Sequence, residues 1–219
     1  MHVRPTNAEV TTIPIGPWTF ENNAFADNAT LLDSVKQIWV GGVDDCFGTE
    51  DELGTARFVE CVNLALKGYS PETFFVNTGS AEDTASNWFQ LDFTDMKAEN
   101  HAGADLVFFE CRFNDFNAYQ IAVRPEDGSF TGFHDYTASD FEETDVVCSD
   151  PATIWGMEID LSDFGLPADT VVDAIQFKVL DPDPGDPEIQ PEGEPAMAAV
   201  LTESFGPPTI YLPIVSKNN

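Results

Sequence analysis

Positive charge is scarce in this chain. Nine Lys and Arg stand against 39 Asp and Glu, a formal charge of −30 over 219 residues. Nucleic acid and anionic membrane surfaces are held by basic faces that neutralise phosphate, so neither is expected as a partner. Histidine is almost absent: His2 lies near the terminus, and His101 and His134 fall in loop-like sequence beside acids. Long apolar runs are missing, so no stretch has the length of a membrane-spanning helix and no membrane insertion is expected. The opening "MHVRPTNAEV" has no apolar core of the kind a secretory leader carries. A signal peptide is therefore absent from the chain as given, and an exported protein would correspond to its mature form.

The frameworks of common catalytic sites are missing as well. There is no GxSxG elbow, HExxH helix, Walker loop, or GxGxxG after a strand-like run. Carboxylate pairs are plentiful, and Glu110 and Glu158 on aromatic-rich segments are the residues a glycosidase would use on either side of a scissile bond. With so many acids, such pairs also arise by chance. The chain is expected not to be an enzyme.

Four cysteines, Cys46, Cys61, Cys111 and Cys148, form an even set without a CxxC pair. That spacing argues against zinc and for two disulfides in an oxidising compartment. Sequence order suggests Cys46–Cys61 and Cys111–Cys148, although three connectivities are open.

Apolar residues make up 42% of the chain and 18 are Phe, ample for one large core. Their pattern is mostly of period two. "NWFQLDFTD" sets Phe89, Leu91 and Phe93 against Trp88, Gln90 and Asp92. "ADLVFFECRF" is nearly continuous and reads as a central strand buried on both faces. "NAYQIAVRPEDGSF" aligns Tyr119, Ile121 and Val123 before a Pro-Glu-Asp-Gly turn. "TIWGMEIDL" alternates Ile154, Gly156, Glu158 and Asp160 with Trp155, Met157, Ile159 and Leu161. "VVDAIQFKVL" places Val171, Asp173, Ile175, Phe177 and Val179 on one face, and "AMAAVL" suits a last strand. "TARFVECVNLAL" (residues 55–66) fits either period and leans towards a strand. Short strands separated by Gly, Pro, Asn and Asp predict an all-β sandwich.

From "GADLVFFE" (103–110) through "EDGSF" (126–130), "IDLSDFGL" (159–166), "IQFKVLDPDPGD" (175–186) and "AAVL" (198–201), the chain resembles a jelly-roll module of secreted bacterial surface proteins. That module is distantly similar to discoidin and galactose-binding-like domains. "FENNAFADN" (20–28) resembles its opening segment more loosely. Ala196 and Ala198 stand where the family pattern carries acids. The resemblance implies a jelly-roll β-sandwich of two antiparallel sheets, exported or held at the cell surface. The apolar extended stretches at both ends of the chain divide it into an N-terminal segment over 1–17, a candidate donor strand, the sandwich over 18–205, and an extended tail over 206–219.

The loop "DPDPGDPE" gathers Asp181, Asp183, Asp186 and Glu188. Alternate Asp residues held extended by Pro project to one side and offer oxygen ligands to calcium, with Asp105 able to complete the set. The plainer reading is a stiff, hydrated connector that protects a sheet edge.

Two functions follow. One is a structural or adhesive surface protein that binds copies of itself, in which "VTTIPIGPW" or "TIYLPIV" adds to a neighbour's sheet and builds a filament with calcium support. The alternative is a carbohydrate-binding module that stacks glycans on exposed aromatics, with Trp88, Trp155 and Tyr136 as the ligand-binding candidates and Trp39 and Tyr119 also available.

Overall fold

The computed structural model describes residues 12–21, 24–31, 37–40, 47–49, 54, 56–57, 60–61, 76–77, 88–112, 118–149, 152–180 and 195–205. In chain order the strands are β1 (Thr12–Ile15), β2 (Trp18–Glu21), β3 (Asn28–Leu31), β4 (Gln37–Val40), β5 (Phe47–Thr49), β6 (Val76–Asn77), β7 (Trp88–Asp92) and β8 (Ala98–Glu99). They continue as β9 (Leu106–Arg112), β10 (Ala118–Pro125), β11 (His134–Tyr136), β12 (Phe141–Ser149), β13 (Ala152–Ile159), β14 (Val171–Leu180) and β15 (Pro195–Val200).

Two antiparallel sheets form the sandwich. One runs β11-β10-β14-β7-β3, with β8 also paired to β14, and the other runs β12-β13-β9-β15. The chain passes repeatedly between them, from β8 to β9 to β10 and from β13 to β14 to β15, which is the jelly-roll path. A small sheet, β5-β4-β6, and the hairpin β1-β2 complete the described strands.

Period-two patterning explains which residues meet. Phe108 of β9 lies 5.1 Å from the ring of Tyr119 on β10 and 5.1 Å from Phe177 on β14, so these side chains join the sheets. Phe89, Leu91 and Phe93 are buried together, and so are Tyr119, Ile121 and Val123. All seven residues of β9 are buried, because its second face is covered too.

That cover is the β1-β2 hairpin. Trp18 and Phe20 each meet Phe109 edge-on at 5.7 Å, and Phe20 lies 5.4 Å from Phe25. Gly156 is the seat for Trp18: a Cβ there would lie 2.3 Å from the indole Cζ3. At the hairpin turn Gly16 has φ +56°, and a Cβ on it would come within 2.7 Å of Thr144 Cγ2. Thr12–Ile15, part of the expected donor segment, is therefore paired with Trp18–Glu21 of its own chain.

Two local expectations change. Ala56, Arg57, Glu60 and Cys61 are helical instead of extended. An Arg57–Glu60 ion pair of 2.8 Å at i,i+3 suits a helical turn and has no equivalent in a strand. On β14 the register with β10 shifts between Arg124 and Pro125. At this bulge Val172 joins the core and Asp173 is left half-exposed beside Arg124, so Asp173 does not join the buried face of Ile175 and Phe177.

Cys111 and Cys148 are bridged, with Cα atoms 6.0 Å apart, linking β9 to β12. Cys61 is buried and disulfide-bonded, and Cys46 lies outside the described residues.

Candidate functional site

The outward face of the β11-β10-β14-β7-β3 sheet is polar, and strand register puts its side chains in rows. Arg124, Ala174, Asp92 and Asn28 form one row across β10, β14, β7 and β3. Ala122, Gln176, Gln90 and Thr30 form the next. Gln120 and Lys178 follow, and Gln120 is also opposite Asp135 on the edge strand β11.

These groups are knitted together. Gln176 Nε2 donates to Gln90 Oε1 at 3.3 Å, and Gln90 Nε2 donates to Asp92 Oδ1 at 2.7 Å. Asn28 Nδ2 donates to Asp92 Oδ2 at 2.9 Å. Arg124 spans two carboxylates, with Nε 2.7 Å from Asp173 and Nη2 3.3 Å from Asp92. The hydrogen bond to Asp173 is the main reason its guanidinium pKa is raised, and the nearby negative charges of Asp173 and Asp92 add to it. Gln120 donates to Asp135 at 2.8 Å. The Arg124 guanidinium also sits 5.4 Å above the ring of Phe130.

The result is a shallow, preorganised surface of planar amides and carboxylates. A side-chain amide offers two N–H donors and two acceptor lone pairs, so the internal bonds use only part of its capacity. Ala122 and Ala174 keep the floor low between the longer groups. Phe133, two residues before Asp135, is 37% exposed.

The residues singled out from sequence are placed differently. Trp88 is opposite Lys178 by register, and its side chain lies outside the described residues. Trp155 is half-buried, with the Arg112 guanidinium 4.5 Å over its ring and its Nε1 donating to Thr153 Oγ1. Tyr136 is only 7% exposed, and its hydroxyl has no hydrogen-bond partner. Burial, then the charges of Asp163, Asp140 and Asp160, raise its pKa well above the ordinary phenol range.

Asp105 is fully buried. Its Oδ1 accepts from His101 N–H at 2.9 Å and Ser204 Oγ at 2.7 Å, and its Oδ2 accepts from Leu161 N–H at 2.9 Å. Three donors hold this carboxylate as a pin between loops. Asp181, Asp183, Asp186 and Glu188 lie outside the described residues, as do residues 1–11 and 206–219.

Glu110 and Glu158 do not converge. Glu110 is buried and accepts from Tyr119 Oη at 2.9 Å and Arg112 Nη2 at 3.2 Å. Glu158 is exposed and accepts from Trp18 Nε1 at 2.9 Å. Register sets Glu110 opposite Trp155 and Glu158 opposite Val107, on opposite faces of one sheet.

Sequence reasoning missed the Gln90, Gln176 and Arg124 surface. The available signal was the polar half of each alternating strand; what it lacked was the register that aligns those halves.

No family model and no curated protein matches the sequence. Two solved structures are similar in fold. One is described as CpGH89CBM32-6 produced by Clostridium perfringens, with 10% identity, 82% of this chain and 98% of that chain covered, and a TM-score of 0.34. The other is the Clostridium thermocellum endo-1,4-beta-D-xylanase 10B CBM22-1-GH10 modules complexed with xylohexaose. It has 9% identity, 87% of this chain and 28% of that chain covered, and a TM-score of 0.32.

Proposed function

We propose that this protein is a non-enzymatic, exported carbohydrate-binding module that takes an uncharged glycan on the polar face of the β11-β10-β14-β7-β3 sheet. The observation that carries this reading is the hydrogen-bonded set of Gln176 and Gln90 on adjacent strands, continued along β7 to Asp92 and from there to Arg124.

A sugar ring presents adjacent hydroxyls that each donate and accept. Planar amides and carboxylates fixed by their neighbours meet such pairs with two hydrogen bonds at little entropic cost. Adjacent strands lie about 4.8 Å apart, so the row offers polar groups at regular steps along an extended chain. Phe133 adds an apolar surface at the edge. An uncharged ligand follows from the electrostatics. Arg124 is already shared by two carboxylates, and a net charge of −30 repels anions.

A secreted location fits the Cys111–Cys148 bridge. No helix among the described residues is long and apolar enough to cross a membrane. Donation of the N-terminal strand to a second copy gains no support, because Thr12–Ile15 is already paired within the chain, and "TIYLPIV" lies outside the described residues.

Affinity electrophoresis against a panel of neutral polysaccharides tests the reading. Retardation by at least one of them, lost in Gln90→Ala/Gln176→Ala, is expected. Equal retardation of the double variant would reject this face as the site.

A further inference from the structure

We propose that Glu99, His101 and Asp169 form a binding site for a divalent first-row transition metal of the zinc type. One ligand atom from each side chain lies within 4.8 Å of the other two. Glu99 ends β8 and His101 follows two residues later, so extended backbone sends both to one side. Asp169 comes from the turn that leads into β14.

Backbone pairing holds these segments together independently of the three side chains. Val171 is opposite Glu99 and Val172 opposite Ala98. Asn100 N–H donates to Thr170 O, and Asp169 N–H donates to Asn100 O, both at 2.9 Å. The Asn100 side chain donates to the carbonyls of Leu166 and Pro167 at 2.8 and 3.0 Å. The backbone positions that carry the three ligands are therefore fixed relative to one another by sheet and turn hydrogen bonds.

A second observation concerns charge. Among the described residues neither the Glu99 nor the Asp169 carboxylate has a hydrogen bond or ion pair. The Lys closest in sequence, Lys97, is engaged by Glu126. Two carboxylates brought together without a cationic partner repel each other, and a bound cation turns that repulsion into attraction. The donor set then selects the ion. Calcium takes six to eight oxygen ligands, whereas one imidazole nitrogen with two carboxylates suits zinc, cobalt or nickel. Three protein ligands leave further coordination positions to water.

The site lies apart from the Gln90–Gln176 row, and the proposal does not depend on glycan binding. The test uses the full chain stripped with a chelator. Zn²⁺ is titrated by calorimetry in a large excess of Ca²⁺, and Co²⁺ is followed by its visible absorption. Saturable Zn²⁺ binding is expected, with a Co²⁺ band characteristic of nitrogen and oxygen ligation. His101→Gln and Asp169→Asn should each weaken binding about tenfold or more, a loss of roughly 1.4 kcal/mol.

Asp169 has φ +63°, a conformation that Asn also tolerates, so Asp169→Asn keeps the turn while removing the charge. Circular dichroism checks that each variant is folded. His134→Gln is the control: His134 packs 5.0 Å from Tyr136 and 5.8 Å from Phe164 and should leave binding unchanged. Unchanged Zn²⁺ affinity in folded His101→Gln or Asp169→Asn, or Ca²⁺ displacing Zn²⁺ at equal concentration, would overturn the proposal.

Discussion

The two sheets share a core and treat their outward faces in opposite ways. The β12-β13-β9-β15 sheet turns Val107, Phe109 and Gly156 outward, and the chain covers them with Trp18, Phe20 and Phe25. The β11-β10-β14-β7-β3 sheet turns Gln120, Gln176, Gln90, Asp92 and Arg124 outward. The difference lies in the off-core positions of alternating strands. Apolar residues there call up a third layer, and polar residues make a surface on which a ligand can compete with water.

The largest effect is expected where the covered face is opened. Trp18→Ala removes the indole from Phe109 and Gly156 and should cost about 3–5 kcal/mol in urea unfolding. A loss below about 1 kcal/mol would mean that the hairpin is an ornament on a sheet stable without it. Gly156→Ala attacks the same contact from the other side. Its Cβ would meet the indole at 2.3 Å, and the ring must move at a cost of about 1–3 kcal/mol, read as a lower urea midpoint with unchanged m-value.

Tyr136→Phe probes the core side of the polar sheet's edge. Its hydroxyl is buried without a partner, so its removal should be neutral or stabilising by up to about 1 kcal/mol. The pH dependence has a definite sign. The folded phenol's pKa is raised, so the stability linked to this group is intact below about pH 10 and is lost as pH rises further, where the unfolded chain ionises first. Alkaline unfolding of Tyr136→Phe should lack that part of the slope. The smallest stability change belongs to the polar face itself: Gln90→Ala/Gln176→Ala should shift unfolding by no more than about 0.5 kcal/mol, since both side chains are half-exposed.

Much of the fold was legible because burial writes itself into period-two patterns. "LVFFE" without interruption meant a strand covered twice, and Phe89, Leu91 and Phe93 read as one face, as found. The Cys111–Cys148 link is the pairing that sequence order suggested among three open connectivities. The site was less legible for two reasons. Conspicuous residues drew attention: Trp155 and Tyr136 are large and rare, yet large aromatic side chains contribute most to burial, and both are packed against the body of the protein. Glutamine is inconspicuous, and its alignment across β14 and β7 depends on a register set by distant pairing. Asp173 shows the limit most clearly. Strict alternation assigns it to the buried face, and only the bulge beside Arg124 makes it an ion-pair partner. The same holds for Asp169, which reaches Glu99 and His101 from a separate turn.

The central claim is that the polar face of Gln90, Gln176 and Asp92 recognises glycan. The most direct measurement is calorimetric titration of the best-retained neutral oligosaccharide into the parent chain and into Gln90→Ala/Gln176→Ala, with both melting curves recorded. Binding at least about tenfold weaker in the variant, with melting unchanged, is the result expected from losing well-placed hydrogen bonds. Equal affinity in the two proteins would contradict the claim and move the ligand to another surface.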